Sequence, residues 1–433
     1  MIRKRTFFLL FLFYCSFLEA KSNQERLELS LSQAIDYAVT HNRSLANASL
    51  EIKKAKAKSW QVLGGMLPQV NASFDYQNFC GYKMSLMNFE IPMNPTGTLG
   101  ITASMSLSGA QIVSAMLVDL AVDMADVSVK KNEQEISAQV IKVYVTILAM
   151  EKTVGLLDSN LAHLQKLHKI TEDLVNAGVG EHTDADKLSV QVASMKNTIN
   201  SNKRTLEMLY NSLKLQLGTE VNTSIVLTDE LKNSLKIDEA KDLLNLNFDI
   251  ERNYSYQLLQ QNLILADKQV IMAKVNYLPH LNMFYKYSYK TYFGADKGMD
   301  MTPPNLVGLS LNIPIFSSGI KAKQVEEAQI AREILDNTFA NTKNALLVQN
   351  KQLRYNLTNA FEDYENQQAN IDVSQRVFES ISRKYEHGTA SSLDVTNASM
   401  NLINAQAHYV QAMLNLVNAK IELEVLLNNK KLK

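Results

Sequence analysis

The seven prolines of this 433-residue chain fall in two short windows, and this distribution limits what the rest of the chain can form. Long stretches outside the windows also lack glycine. Residues 320–387 and 389–433 contain neither residue type, and residues 111–177 contain Gly155 alone. Because proline and glycine are the least favourable residues inside helices, these runs predict helices far longer than the globular average. A helix over residues 111–177 would rise about 100 Å at 1.5 Å per residue.

The two halves of the chain repeat each other, which indicates an internal duplication. The segments Asn42-Arg43-Ser44 and Leu67-Pro68 recur, 211 positions later and without a gap, as Asn253-Tyr254-Ser255 and Leu278-Pro279. We expect a first repeat over residues 21–218, a connecting segment over 219–247 and a second repeat over 248–433. Each repeat would hold a helix, two strands and a long helical hairpin.

The proline-containing windows carry apolar residues at every second position, a pattern typical of strands with one apolar and one polar face. The predicted strands lie at about residues 70–76, 99–107, 281–289 and 307–315, with turn-rich loops at 78–97 and 292–304. Such strands suit a wall between lipid and water, or a half-buried sheet in a soluble domain. Four strands cannot close a barrel around a pore, and lipid does not tolerate an open sheet edge. A membrane position would therefore require several chains that share one barrel.

The long helices carry apolar residues seven positions apart. This spacing keeps one seam of a helix against a partner and produces a left-handed supercoil. The clearest series lies near the C-terminus and consists of Val395, Leu402, Tyr409, Leu416 and Leu423, with Ala398, Ala405, Ala412 and Ala419 three positions after the first four. We interpret these rows as the core of the helical hairpins.

The first twenty residues have the order of a secretory signal: a basic start, an apolar run and a small residue at Ala20. Cleavage before Lys21 is expected, and a transmembrane anchor is the alternative, although its apolar run is short. The exported chain would keep Cys80 as its one cysteine, which cannot form an internal disulfide. We expect Cys80 to be a small loop residue.

Charge and motifs exclude several functions. Basic and acidic residues number 44 each, so nothing favours nucleic acid as a partner. The sequence holds no P-loop, no His/Cys spacing typical of zinc sites and no Gly-x-Ser-x-Gly. These absences fit a protein that is not an enzyme and has no catalytic residue, cofactor or metal site.

Several short motifs, in this order and duplicated, resemble the TolC-like outer-membrane efflux proteins over nearly all of the exported chain. They are Leu29-Ser30-Leu31-Ser32-Gln33-Ala34, Leu67-Pro68, Leu278-Pro279, Leu309-Ser310-Leu311-Asn312-Ile313-Pro314-Ile315-Phe316, Gly319, Tyr385-Glu386-His387-Gly388 and Leu393-Asp394-Val395. The resemblance implies a mainly helical fold with some strands, in which long antiparallel coiled-coil helices form a periplasmic tunnel.

The same resemblance implies an assembly and a role. Three chains would share a twelve-stranded transmembrane barrel in the outer membrane, and residues 219–247 would form part of an equatorial belt. The channel would receive drugs, metals or proteins from an inner-membrane transporter and a periplasmic adaptor. The alternative is a secreted helical scaffold or adhesin without a pore, which accounts for the helices but not for the duplicated strands.

The ends of the helical hairpins are the candidate functional site. Gly178 and Gly388 suit the left-handed residue that ends many helices. We expect Thr183 and Ser391 to cap the following helices, each with an acid three positions later, at Asp186 and Asp394.

The resemblance adds roles at these ends, where the family constricts the pore. Asp394 matches one acid of a family ring, while the second acid falls at Asn397. Tyr385, Thr183 and Asp184 match residues of the family's gating network, whose arginine falls at Ala390. A different contact would therefore close this gate. The turns containing Gly178, Gly180 and Gly388 are where an adaptor would dock.

Overall fold

The computed structural model describes residues 26–86, 89–231, 237–293 and 303–428, so the predicted signal segment lies outside the described residues. The main helices, in chain order, are α1 (Leu31–His41), α2 (Arg43–Gly64), α3 (Gly109–Asn176), α4 (His182–Leu217), α5 (Ile237–Asn245), α6 (Tyr254–Val275), α7 (Ile320–Glu386) and α8 (Ser392–Leu427). The strands are β1 (Arg26–Leu29), β2 (Gln69–Gln77), β3 (Lys83–Leu86), β4 (Phe89–Pro92), β5 (Thr96–Leu107), β6 (Ser224–Leu227), β7 (His280–Tyr292) and β8 (Asn305–Asn312).

Two long helical hairpins dominate the fold, as the breaker-free runs predict. Helix α3 has 68 residues and pairs with α4, and α7 has 67 residues and pairs with α8. Helix α3 begins where the Ser108 hydroxyl accepts from the Gln111 amide and the Gln111 side chain accepts from the Ser108 amide. This reciprocal capping box satisfies amide groups that have no partner inside the helix. The elements of the two halves also recur at offsets of 210 or 211: α2 with α6, α3 with α7 and α4 with α8.

The predicted seven-residue rows form the hairpin seams. In α8 the four alanines of the seam are buried, as are Val395, Leu402, Leu416 and Leu423, while Tyr409 is half-buried. The buried residues of α8 pack mainly against α7 and α3. Small side chains in such a row let neighbouring helix backbones approach closely, so the alanine row brings α8 tightly against its partners.

The four predicted strands form one antiparallel sheet in the order β2-β5-β7-β8. The registers place apolar side chains on one face, which includes Val70, Phe74, Leu99, Ile101, Met105, Met283, Tyr285, Tyr289, Leu309 and Leu311. The opposite face includes Asn71, Ser73, Thr102, Ser104, Lys286, Ser288 and Ser310. Strands β2 and β8 are the two outer strands of this sheet, and its apolar face is largely exposed in the single chain.

Two details of the strand prediction were wrong. Strand β8 ends at Asn312, whereas the alternation predicted a strand to residue 315. Pro314 lacks an amide hydrogen and cannot continue the ladder, which explains the earlier end. The loop predicted over residues 78–97 contains the β3–β4 hairpin, closed by an ion pair of 2.9 Å between Lys83 and Glu90. Much of the second predicted loop, at residues 294–302, lies outside the described residues.

A small parallel pair of strands, β1 and β6, joins the start of the described chain to the segment after α4. The buried Tyr144 of α3 holds this junction, because its hydroxyl donates to the Leu29 carbonyl at 3.0 Å. Asp229 accepts from the Leu31 amide at 2.7 Å and anchors the start of α1. A connecting segment was predicted over residues 219–247, but the strand pair was not. Across the described parts of the chain, no helix is sufficiently long and apolar to span a bilayer.

Candidate functional site at the hairpin turns

Both hairpins end in the same turn geometry, which confirms the predicted roles of two glycines as helix terminators. After α3, the Gly178 amide donates to the Val175 carbonyl and the Val179 amide to the Leu174 carbonyl, each at 3.0 Å. Gly178 has φ +78° and Gly388, after α7, has φ +73°. These contacts define a Schellman motif, whose left-handed position strains any residue with a β-carbon. The two turns therefore stop the helices at matched positions.

The helices that follow begin differently. At the start of α8, the Ser391 hydroxyl accepts from the Asp394 amide at 3.1 Å, and Asp394 accepts from the Ser391 amide at 3.0 Å. This capping box confirms the prediction for Ser391. The prediction for Thr183 was wrong, because the N-cap position is occupied by Glu181, two residues earlier, and α4 begins at His182. Thr183 therefore lies within the first turn of α4 and donates to the Glu181 carboxylate at 3.2 Å.

Asp394 is exposed at the first turn of α8 and is held by this capping box. Hydrogen bonds from the side chain and backbone of Ser391 lower the pKa of Asp394 below its ordinary value. These bonds are made to the ionised carboxylate, so they favour its charged form. Asp394 is therefore a fixed negative charge at the tip of the second hairpin at neutral pH. Asn397, one turn further along α8, is exposed and uncharged.

Tyr385 joins the end of α7 to α3. Its hydroxyl lies 2.6 Å from the hydroxyl of Thr171, which is 3% exposed. Thr171 also donates to the Leu167 carbonyl at 2.9 Å, which uses its one hydroxyl hydrogen. Tyr385 is therefore the donor in the contact between the two hydroxyl groups. Leu167 and Phe378 belong to the apolar cluster beneath this contact.

An ion pair lies beside the Tyr385 contact and joins the same two helices. The Lys166 ammonium lies 2.7 Å from the Glu386 carboxylate. The hydrogen bond and charge of Lys166 lower the pKa of Glu386 below its ordinary value. Both groups are substantially exposed, so this pair contributes less than a buried pair would. Together the hydroxyl contact and the ion pair link the last turn of α7 to α3.

The structure does not place all the predicted gate residues in one cluster within the chain. Asp184 lies 3.4 Å from Lys187, a pair within the first turns of α4. The contacts found for Asp184 and Thr183 thus lie on α4 and its own turn, whereas Tyr385 contacts α3. Gly180 lies close to α3, since its amide donates to the Leu174 carbonyl at 3.1 Å. Within the described ranges, His, Cys, Asp and Glu side chains form no group of three that could hold a metal ion.

Sequence reasoning missed Thr171, Lys166 and Glu386. A signal for Thr171 exists, because it follows the buried Leu157 and Leu164 at seven-residue steps and so occupies a seam position with a hydroxyl. Asn160 gives a second signal of this kind: it is 7% exposed and donates to Gln406 at 2.8 Å. Polar residues in a seam mark places where one helix register is specified.

Comparisons with known proteins place the fold among outer-membrane channels. A sequence profile of the family described as "Outer membrane efflux protein" matches residues 250–429. "Outer membrane protein TolC" of Escherichia coli (strain K12) is 23% identical over 404 residues, which cover 87% of this chain and 78% of that protein.

Two solved structures have a similar fold at low sequence identity. The CmeC outer membrane channel of Campylobacter jejuni is 15% identical, with a TM-score of 0.76, over 92% of this chain and 85% of that chain. The outer membrane protein VceC of Vibrio cholerae is also 15% identical, with a TM-score of 0.73, over 92% of this chain and 95% of that chain. The long hairpins and the sheet therefore form a known architecture.

Proposed function

Because this chain belongs to the TolC-like outer membrane efflux protein family, we propose that it is an outer-membrane exit duct that extends into the periplasm. It conducts small molecules or secreted products from an inner-membrane transporter and a periplasmic adaptor to the outside. The duct itself is passive, since the transporter supplies the energy. The family provides the class of function, and the particular cargo depends on the transporter.

One observation carries this proposal: the four-stranded sheet is open and has one apolar face. Backbone groups on an outer strand remain unpaired in lipid unless another strand pairs with them. Pairing β8 of one chain with β2 of the next satisfies both edges, and three chains give a closed barrel of about twelve strands. A non-pore scaffold leaves the apolar sheet face and the family match without explanation.

The hairpin turns are proposed as the regulated end of the duct. In a trimer, three copies of Asp394 surround one axis and give a ring of negative charge. The contacts of Tyr385 with Thr171 and of Lys166 with Glu386 hold the end of α7 against α3. In the family, an arginine at the position of Ala390 belongs to the gating network. We propose that these two contacts keep the gate closed in its place. Opening requires the end of the second hairpin to move away from α3, and the Gly178, Gly180 and Gly388 turns are the docking points for the adaptor.

Fractionation and native mass determination test the proposed assembly. The chain is expressed with its N-terminal segment, membranes are separated, and the outer-membrane fraction is extracted with a mild detergent. The expected result is a complex with three times the mass of one chain. Recovery as a soluble periplasmic monomer would favour the scaffold and contradict the duct.

A further inference from the structure

Helix α8 carries a row of amide side chains along most of its length. Exposed or half-exposed amides recur at steps of three, four and seven residues, which places them on one face of the helix. The row consists of Asn397, Asn401, Asn404, Gln411, Asn415 and Asn418, and we call it the amide row. It begins one turn after Asp394 and ends one turn before Glu422. The distance between these two acids is about 42 Å at 1.5 Å per residue.

The amide row is unusual because the helix around it has no charged side chain when His408 is neutral. Residues 395–419 contain no Lys, Arg, Asp or Glu, and His408 is the one titratable side chain on the same face. The duplicated helix α4 is the internal comparison. Its matching residues, 185–209, carry six charges at Asp186, Lys187, Lys196, Lys203, Arg204 and Glu207. Two helices of 36 residues with a common origin thus differ most in the charge of their exposed faces.

The amide row is not part of the packing within the chain. The seam of α8 faces α7 and α3, and its side chains are buried there. The row lies outside this seam, and its members are exposed, or half-exposed at Asn418, after both hairpins have formed. A neighbouring row on α8, with Leu393 at 55% and Met400 at 51% exposure, is apolar and suits contact with a second copy of the chain. The amides beside it have the chemistry of a surface that remains in water.

Amides of α7 lie beside the C-terminal end of the amide row. A groove of about 420 Å³ lies between α7 and α8. It is lined by four amides, two acids and two alanines: Asn356, Asn359, Ala360 and Asp363 of α7 and Asn415, Asn418, Ala419 and Glu422 of α8. Amides from two helices therefore line one continuous surface. Gln411 donates to Asn415 at 2.9 Å, so neighbouring amides of the row hydrogen-bond to each other.

We propose that the amide row lines the inside of the tunnel and makes it a neutral path that accepts polar solutes irrespective of their charge. This inference rests on the proposed duct. Conduction requires that a solute bind weakly enough to leave, and a charged lining repeated in three copies would retain solutes of the opposite sign. Amides donate and accept hydrogen bonds without this effect. Selection by charge is then limited to Asp394 at one end of the row and Asp363 in the groove, because Glu422 at the other end is paired with Lys142 at 2.9 Å.

Cysteine substitution in the row tests this placement. In a Cys80→Ser background, Asn404→Cys and Asn415→Cys are compared with Gln375→Cys, an exposed amide on α7 at about the depth of Asn404. Each channel is recorded in a planar bilayer before and after a cationic methanethiosulfonate. Three positive charges at about 8 Å from the solute path, in water with physiological salt, change the cation-to-anion permeability ratio by about sevenfold, because they repel cations and attract anions equally.

The expected result is a decrease in that ratio for Asn404→Cys and Asn415→Cys and an unchanged ratio for Gln375→Cys. The inference is overturned if mass spectrometry shows that the row cysteines react while the ratio stays constant. It is also overturned if oxidation joins the row cysteines of two copies by a disulfide, since the row would then lie at an interface. Wild-type protein that forms no channels would instead refute the proposed duct, which distinguishes the two failures.

Discussion

Removing the hydroxyl of Tyr385 should shift the proposed gate towards its open state. Tyr385→Phe deletes the donor to Thr171 and keeps the ring in its apolar contacts. Thr171 still donates to the Leu167 carbonyl, so no buried hydrogen-bond donor is left without a partner. The loss is then that of one neutral hydrogen bond, about 1 kcal/mol. Three copies that open together lose about 3 kcal/mol, which corresponds to about a 150-fold change in the ratio of open to closed channels.

Single-channel recording in planar bilayers measures this ratio directly, from the time spent at each conductance level. The matched control is Tyr364→Phe, on the same helix but about 32 Å from Tyr385 by helix rise. The hydroxyl of Tyr364 lies 3.4 Å from the hydroxyl of Tyr409, within the hairpin seam. We expect frequent large openings for Tyr385→Phe and few for the control. Equal open times in the two variants and in the wild type would refute the gate role of Tyr385.

Three further predictions concern charge, pH and stability. Asp394→Asn removes three negative charges about 8 Å from the proposed axis and should lower the cation-to-anion permeability ratio by about sevenfold in bilayer recordings; an unchanged ratio would remove Asp394 from the conducting path. The pKa of Glu386 lies below its ordinary value of 4.5, because Lys166 stabilises the charged carboxylate. The ion pair is therefore fully formed above pH 4.5 and is lost as the pH falls through the lowered pKa. Acidification should then increase opening in the wild type, while Glu386→Gln should already be more open and change less with pH through this link. Asn160→Ala should lower the free energy of unfolding by about 1–3 kcal/mol, because it leaves Gln406 buried without its partner. Thermal unfolding of the Asn160→Ala/Gln406→Leu double variant should show that part of this stability is regained.

Periodic and local signals made much of the fold predictable from the sequence. The long helices follow from stretches without proline and glycine, and the buried alanines of α8 follow from their seven-residue spacing. The turns at Gly178 and Gly388 follow from the conformational freedom of glycine. Each of these features is determined by residues close together in the chain, so periodicity is sufficient to detect it.

Contacts between distant residues were not predictable in this way. Strand β1 pairs with β6 across nearly two hundred residues, and strands of four residues are too short to show a clear alternation. Tyr385 and Thr171 lie 214 positions apart. The hydroxyl of Thr171 in a seam row indicated a polar contact but did not identify its partner.

The start of α4 was mispredicted for a local reason. Both Glu181 and Thr183 are plausible first residues, because each offers an oxygen near the helix start and an acid follows Thr183. The turn at Gly178 and the contact of Gly180 with the end of α3 return the chain early enough for α4 to begin at His182. The duplication also separates the two residues, because Glu181 and not Thr183 stands 210 positions before Ser391.

The most direct test of the duct is the conductance of the purified wild-type protein in a planar lipid bilayer. We expect discrete channels with low conductance at rest, because the contacts of Tyr385 and Lys166 hold the end of α7 against α3. We also expect larger conductance steps from the Tyr385→Phe protein prepared in the same way. A detergent-purified, folded protein that never produces discrete steps in the bilayer would contradict the central claim that this chain forms a channel.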